Sequence, residues 1–267
     1  MTIGLPKAFS RDARMQHPEL MCLPLQGGDL AEDDWPFLLP QNLKDLLPRL
    51  TALVVGPGMG TSERAQSFLR ALLSQKDRPP CILDADGLRL LNNLQDEADT
   101  LLHPSDILTP HPGEAALLLH TSAKAVQNDR MGALRMLTER FPATVLLKGA
   151  YTLIAQKGAP CLVTSYDLPT LAVGGAGDVL AGILGAFRGS AVLFADKDMQ
   201  KISPIPQSLY VAALGVVVHA MAGQALATKS LRGHLAHGVV ALGLGILAEL
   251  EELIIVHGEV IPADFLK

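Results

Sequence analysis

Four times along the chain, a short apolar run ends in a turn rich in Gly, Asp or Pro, and a helix-like pattern follows. Leu53-Val54-Val55 leads into Gly56-Pro57-Gly58-Met59-Gly60, and Cys81-Ile82-Leu83 into Asp84-Ala85-Asp86. Ile107-Leu108 leads into Thr109-Pro110-His111-Pro112-Gly113-Glu114, and Val145-Leu146-Leu147 into Lys148-Gly149. Apolar runs without strict alternation fit strands covered on both faces. Repeated strand–loop–helix order predicts an α/β fold of three layers, with a mostly parallel central sheet and helices on both faces. In such sheets ligands bind beyond the carboxyl ends of the strands, which is where all four turns fall.

The intervening stretches supply helices. Thr61 or Ser62 is placed to cap a helix through Leu73, Ala85 or Asp86 to start another, and Asn128 or Asp129 to start one ending near Arg140. Val179 to Phe187 reads as a buried helix that leaves a glycine loop directly. Tyr151 to Ala155, a turn at Lys157-Gly158, and Cys161 to Val163 predict a β-hairpin. Lys197 to Pro206 is polar and predicts a surface loop. Residues 1–267 show no linker or repeat and are expected to form a single domain.

Bulk properties exclude several partners. The net charge of −5 gives no electrostatic footprint for nucleic acid. Three scattered cysteines, Cys22, Cys81 and Cys161, form no disulfide framework or metal spacing, so they are expected in the core of a cytoplasmic protein. The apolar segments Leu209–Ala227 and Gly238–Ala248 read as buried helices, not membrane spans: the first is broken by His219 and Gln224, and the second is too short.

The strongest chemical signal is the run from Leu171 through Gly174-Gly175-Ala176-Gly177-Asp178 to Gly182. Glycines allow a tight turn that gathers several N–H groups into one concavity, and the following helix adds its positive end. Charge developing on a transferring phosphoryl group is stabilised in such a place. Asp178, at the helix entrance, is placed to take the proton of a substrate hydroxyl, the alternative being a tight turn with an Asp helix cap. His111 sits between two prolines in a rigid loop and suits substrate contact, while Glu114 reads equally as a metal or substrate ligand and as a helix N-terminal acid. Asp84 and Asp86 suit a hydroxyl-rich group or hydrated Mg²⁺, and Asp86 equally a helix cap. Gly56, Gly58 and Gly60 make a phosphate-compatible turn that is neither a P-loop nor a dinucleotide fingerprint. Lys148 at a strand end reads equally as a nucleotide-phosphate contact and as a solvated surface lysine. His219, inside an apolar helix, reads as a satisfied core histidine.

Taken in order, these motifs resemble those of the ADP/ATP-dependent NAD(P)H-hydrate dehydratases, a ribokinase-like family. The resemblance spans about residues 50 to 190 and is most specific in the His-Pro-Gly-Glu and Gly-Asp-Val-Leu-Ala-Gly loops. It implies a ribokinase-like fold and a repair enzyme that returns hydrated NADH or NADPH to the normal cofactor. The hydrate hydroxyl would be phosphorylated by ADP or ATP, and phosphate would then be eliminated. On that resemblance Asp178 is the base. Gly56, Gly58, Gly60, Asp84, His111 and Asp178 bind the hydrate. Lys148, Gly149, Ala150, Tyr151 and Thr152 line the nucleotide pocket, with Gly175, Ala176 and Gly177 on the phosphoryl group. Mg²⁺ would bridge phosphates, and no dedicated protein metal site is expected.

The chain departs from the family at its ends. Members begin with a further strand–helix unit, and Thr2-Ile3-Gly4-Leu5-Pro6 resembles the segment that comes just after that unit. About forty to fifty residues are therefore expected to be lacking, given ~30 or more residues per repeat. Such a gap would bare a strand and favour self-association into a homo-oligomer. Ser165 to Pro169 lacks an expected Gly-Asn pair, the stretch from Leu231 matches poorly, and the epimerase domain fused to some members has no counterpart. Two other readings stay open: a vitamin-alcohol kinase of the same superfamily, and a non-catalytic nucleotide-binding homologue.

Overall fold

A computed structural model describes residues 1–26, 34–190, 205–228, 235–236, 238–243 and 245–246. Near the N-terminus, β1 (Thr2–Pro6), α1 (Ser10–Gln16) and β2 (Met21–Leu25) form a two-stranded parallel sheet with its crossover helix, and α2 (Gln41–Leu46) follows. The main sheet is built from β3 (Leu53–Val55), β4 (Cys81–Leu83), β5 (Ile107–Leu108), β6 (Thr144–Leu147), β7 (Leu153–Ala155) and β8 (Leu162–Val163). Its helices are α3 (Glu63–Leu73), α4 (Asp86–Asn93), α5 (Ala98–Leu101), α6 (Pro112–Leu118), α7 (Ala123–Asn128), α8 (Arg130–Arg140), α9 (Ala176–Ser190) and α10 (Gln207–Ala227). The strands lie in the order β3-β4-β5-β6-β7-β8, parallel from β3 to β6 and antiparallel thereafter. The predicted hairpin is β7–β8.

Each central strand divides its side chains between two apolar layers, as alternation across a pleat requires. Cys81, Leu83, Leu108, Val145 and Leu147 join Leu69, Leu72, Leu88, Leu118 and Leu134 from helices on one face. Ile82, Ile107, Leu146 and Ile154 face the other way, against Leu180, Leu184, Leu209, Ala212 and Val216 of α9 and α10. The three layers expected from the sequence are therefore present. Both faces being covered is the reason these strands read as continuous apolar runs.

Helix starts follow their caps. The Ser62 side chain accepts from the Ala65 N–H, and Asp129 accepts from the Gly132 N–H. The glycine-loop helix starts earlier than its apolar pattern, at Ala176, because Gly177 and Asp178 already form its first turn. α10 is long and apolar enough to cross a membrane, yet most of it is buried in the protein. Within the second apolar segment, residues 238–243 and 245–246 are helical, and Val239 packs on Ala222 and Leu226 of α10. The predicted loop from Lys197 lies, up to residue 204, outside the described residues.

Two features differ from, or qualify, the sequence expectations. Only Cys81 is a buried core thiol; Cys22 is half-buried, and Cys161 is exposed because it precedes the short edge strand β8, where no layer covers it. Among the described residues, β3 is an edge of the main sheet and Val54 is 41% exposed.

Candidate active site

The carboxyl ends of β3 to β6 converge on a small polar cluster. Asp84 follows the wholly buried β4 and is itself only 1% exposed. Lys148 follows β6 and reaches inward, with Nζ 2.6 Å from Asp84 Oδ1 and 3.8 Å from Glu114 Oε2. A charged pair held this far from water needs good geometry to offset desolvation, and 2.6 Å supplies it. Glu114 feels the same burial. Desolvation raises its carboxyl above the ordinary range, opposed first by the Lys148 charge and then by the His111 N–H.

His111 caps α6. Its Nδ1 accepts from the Gly113 N–H at 3.0 Å, while Glu114 Oε2 accepts from the His111 N–H at 2.8 Å, a reciprocal capping box. A bare Nδ1 places the ring proton on Nε2, which lies 3.3 Å from Glu114 Oε1. The imidazole is thus fixed by its own helix as well as by the flanking prolines, and it remains about half exposed. Of the two sequence readings of Glu114, the geometry shows the helix N-terminal acid, which also lies near Lys148.

The Gly56–Gly60 turn is locked to the same strand end. Gly56 has φ +124°, and a β-carbon there would lie 1.9 Å from the Asp84 carbonyl oxygen. Gly60 N–H donates to Asp86 Oδ2 at 2.9 Å, so Asp86 serves the turn in addition to standing in the first turn of α4. Trp35 Nε1–H donates to the Met59 carbonyl at 2.8 Å, with its ring 4.9 Å from that of Phe68.

On the other side, Lys148 to Thr152 forms a rim held from α8. The Arg130 guanidinium donates to the carbonyls of Leu147 at 3.1 Å and Lys148 at 3.3 Å, and also to that of Ala150. Gly149 takes φ +139° beneath that guanidinium, Thr152 Oγ1 donates to the Gly149 carbonyl, and Tyr151 is 51% exposed.

The glycine loop closes the cluster. A β-carbon on Gly177 would lie 3.4 Å from Lys148 Nζ and 3.7 Å from Asp84 Oδ2, so the first turn of α9 sits directly on the Lys148–Asp84 pair. The Ala176 N–H is engaged by the Val173 carbonyl at 3.2 Å. Among the described residues, the N–H groups of Gly177 and Asp178 have no acceptor, as expected of a helix's first turn. Asp178 is exposed there. Its carboxylate, the helix dipole and free amides thus meet beside the half-buried Lys148.

Distances on this edge link Asp84, Asp86, His111, Glu114, Lys148, Gly177 and the Gly56–Gly60 turn into one site, with Asp178 adjoining Gly177. Lys148 is turned toward carboxylates, and in this arrangement its amine lies inside the cluster, not on an open phosphate pocket. Trp35 and Arg130 were not legible in the sequence. They act through backbone carbonyls at separations of 24 and 17 to 20 residues, which no local spacing encodes.

This sheet and its layers form a ribokinase-like fold. A ribokinase-like superfamily protein of Enterococcus faecalis superimposes with a TM-score of 0.70 at 20% identity, covering 92% of this chain and 76% of that one. The chain belongs to the NAD(P)H-hydrate dehydratase family, whose sequence profile matches residues 3–241. It is 36% identical over 231 residues to a bifunctional NAD(P)H-hydrate repair enzyme of Thermanaerovibrio acidaminovorans, covering 85% of this chain and 40% of that protein. It is 40% identical over 144 residues to an ADP-dependent (S)-NAD(P)H-hydrate dehydratase of Neisseria meningitidis, covering 54% of this chain and 49% of that one. The chain thus matches less than half the length of either relative.

Proposed function

We propose that this chain returns hydrated NADH and NADPH to the normal cofactors at the expense of ADP or ATP. The observation that carries the reading is the meeting of an exposed Asp178, the unpartnered Gly177 N–H and the Lys148–Asp84 pair at the head of α9. Family membership and the ADP-dependent relative support the substrate class.

In this reading the hydrate hydroxyl attacks the terminal phosphoryl group of the nucleotide. An O–P bond forms, the bond to the departing nucleotide breaks, and Asp178 takes the hydroxyl proton. The Gly177 N–H and the dipole of α9 stabilise charge on the phosphoryl oxygens. The C–O bond of the phosphorylated hydrate then breaks, phosphate leaves, and loss of a proton from the neighbouring carbon restores the double bond. Gly56, Gly58, Gly60, Asp84 and His111 form the wall that takes the hydrate. Gly149 to Thr152 forms the rim for the nucleotide, with Gly175 to Gly177 under its transferring phosphate and Lys148 holding Asp84 beneath them.

The resemblance also implies Mg²⁺. Among the described residues no group of three or more His, Cys, Asp or Glu side chains is arranged to hold a metal, and Asp84 and Glu114 both face Lys148. Such a site does not fit a resident cation. Mg²⁺ would arrive with the nucleotide, held by phosphates and water.

The test is recovery of NADH absorbance from hydrated NADH with Mg²⁺ and either ADP or ATP. Asp178→Asn should lower kcat by about a hundredfold or more, as expected for loss of a general base, while the protein stays folded. A folded protein that binds ADP but recovers no cofactor would instead identify a non-catalytic homologue.

A further inference from the structure

We infer that His219 on α10 is a positioning residue for the phosphoryl site: its ring N–H holds the Ala176 carbonyl and thereby aims the Gly177 N–H at the transferring group. This rests on the reading of Gly175 to Gly177 as that site. His219 Nε2 lies 3.0 Å from the Ala176 oxygen, and the residue is 7% exposed. A carbonyl only accepts, so Nε2 carries the proton. The ring is neutral, because burial drives its proton affinity down to about 4, with the Lys148 charge acting in the same direction against the bond to Ala176.

The choice of carbonyl makes this more than a satisfied core histidine. The Ala176 C=O and the Gly177 N–H belong to one planar trans peptide and point in opposite directions. Fixing the oxygen from inside the protein fixes where the N–H points outside. Gly177 needs such an anchor, since glycine has the least restricted backbone of any residue.

The rest of α10 is shaped for the same task. Gly215, His219 and Gly223 recur every fourth residue and so share one face. A β-carbon at Gly215 would lie 2.5 Å from Leu184 of α9, and one at Gly223 would lie 2.6 Å from Leu171, just before the glycine loop. Thr170 Oγ1 donates to the Gly223 carbonyl at 2.9 Å. One face of α10 therefore grips the segment entering the loop, the peptide at its turn and the helix leaving it.

The test compares wild type, His219→Gln and His219→Leu in two readouts. Gln can present an N–H near the position of Nε2, whereas Leu fills the space without a donor. In the cofactor-recovery assay, Leu should lower kcat about tenfold to a hundredfold, on the scale of a misdirected transition-state donor. KM for the hydrate should change by less than about twofold, and Gln should recover most of the loss. The ¹⁵N–¹H resonance of Gly177 should move in the Leu variant and stay near wild type in Gln. Unchanged kcat in Leu, or equal impairment in both variants, would overturn the inference. Should Leu not fold, Gln alone decides: wild-type kcat and resonance uphold the aiming, and a drop of about tenfold contradicts it. If wild type shows no turnover, the functional reading fails, while the Gly177 resonance still decides the positioning.

Discussion

Gly56 is where a single methyl group would meet the most resistance. Its φ of +124° and the 1.9 Å approach of a β-carbon to the Asp84 oxygen combine backbone strain with collision against backbone that has nowhere to move. Gly58 has φ +66° but open space around it. Gly56→Ala should therefore cost about 3 kcal/mol or more, and Gly58→Ala only about 1 to 2 kcal/mol, read by urea unfolding. Equal losses would contradict the close approach. His219 gives a second prediction at this scale. Its folded proton affinity is depressed from 6.5 to about 4, so the unfolded chain takes up the proton first as pH falls. The histidine's stabilising contribution is full above pH ~6.5 and is lost progressively down to pH ~4, by about 3 kcal/mol at most. His219→Gln lacks this titration, so the stability of wild type relative to the variant should fall over that interval; a flat difference would show that the ring is not buried in neutral form.

At the level of elements, the loops of the site are held by groups from elsewhere in the chain. Trp35 grips the Gly56–Gly60 turn through the Met59 carbonyl, and Arg130 holds the Lys148–Ala150 rim through carbonyls at its strand end. Trp35 is the sole tryptophan, so its fluorescence reports on the Gly56–Gly60 turn, the proposed wall for the hydrate. Hydrated NADH should change its emission, and ADP alone should not; the reverse pattern would exchange the two subsites. Arg130→Lys, which cannot span several carbonyls with one planar fork, should raise the nucleotide KM about tenfold with little change in the hydrate KM. The caps at Ser62 and Asp129, the β7–β8 hairpin and the strand-end turns were readable in the sequence because each is a local signal. The capping role of His111, the inward turn of Lys148 and the supports from Trp35, Arg130 and His219 were not, because they depend on which distant groups the fold brings together. Cys161 shows the same limit, since its exposure follows from the length of β8 and not from its residue type.

Across the molecule as a whole, the sheet does the organising. Four parallel strands end on one edge, and two apolar layers fix their pleat, so turns scattered over about a hundred residues become neighbours. α9 and α10 cover one face and deliver the glycine loop to that edge, while the helices of the other face carry His111, Glu114 and Arg130. Everything proposed for this edge depends on the hydrate's hydroxyl oxygen becoming phosphorylated there. That oxygen can be followed by starting from NADH hydrate labelled with ¹⁸O in the hydroxyl and turning it over with ADP or ATP. The label should leave in inorganic phosphate, one atom per NADH recovered; label released as water, with the phosphate unlabelled, would show that the hydroxyl is never phosphorylated.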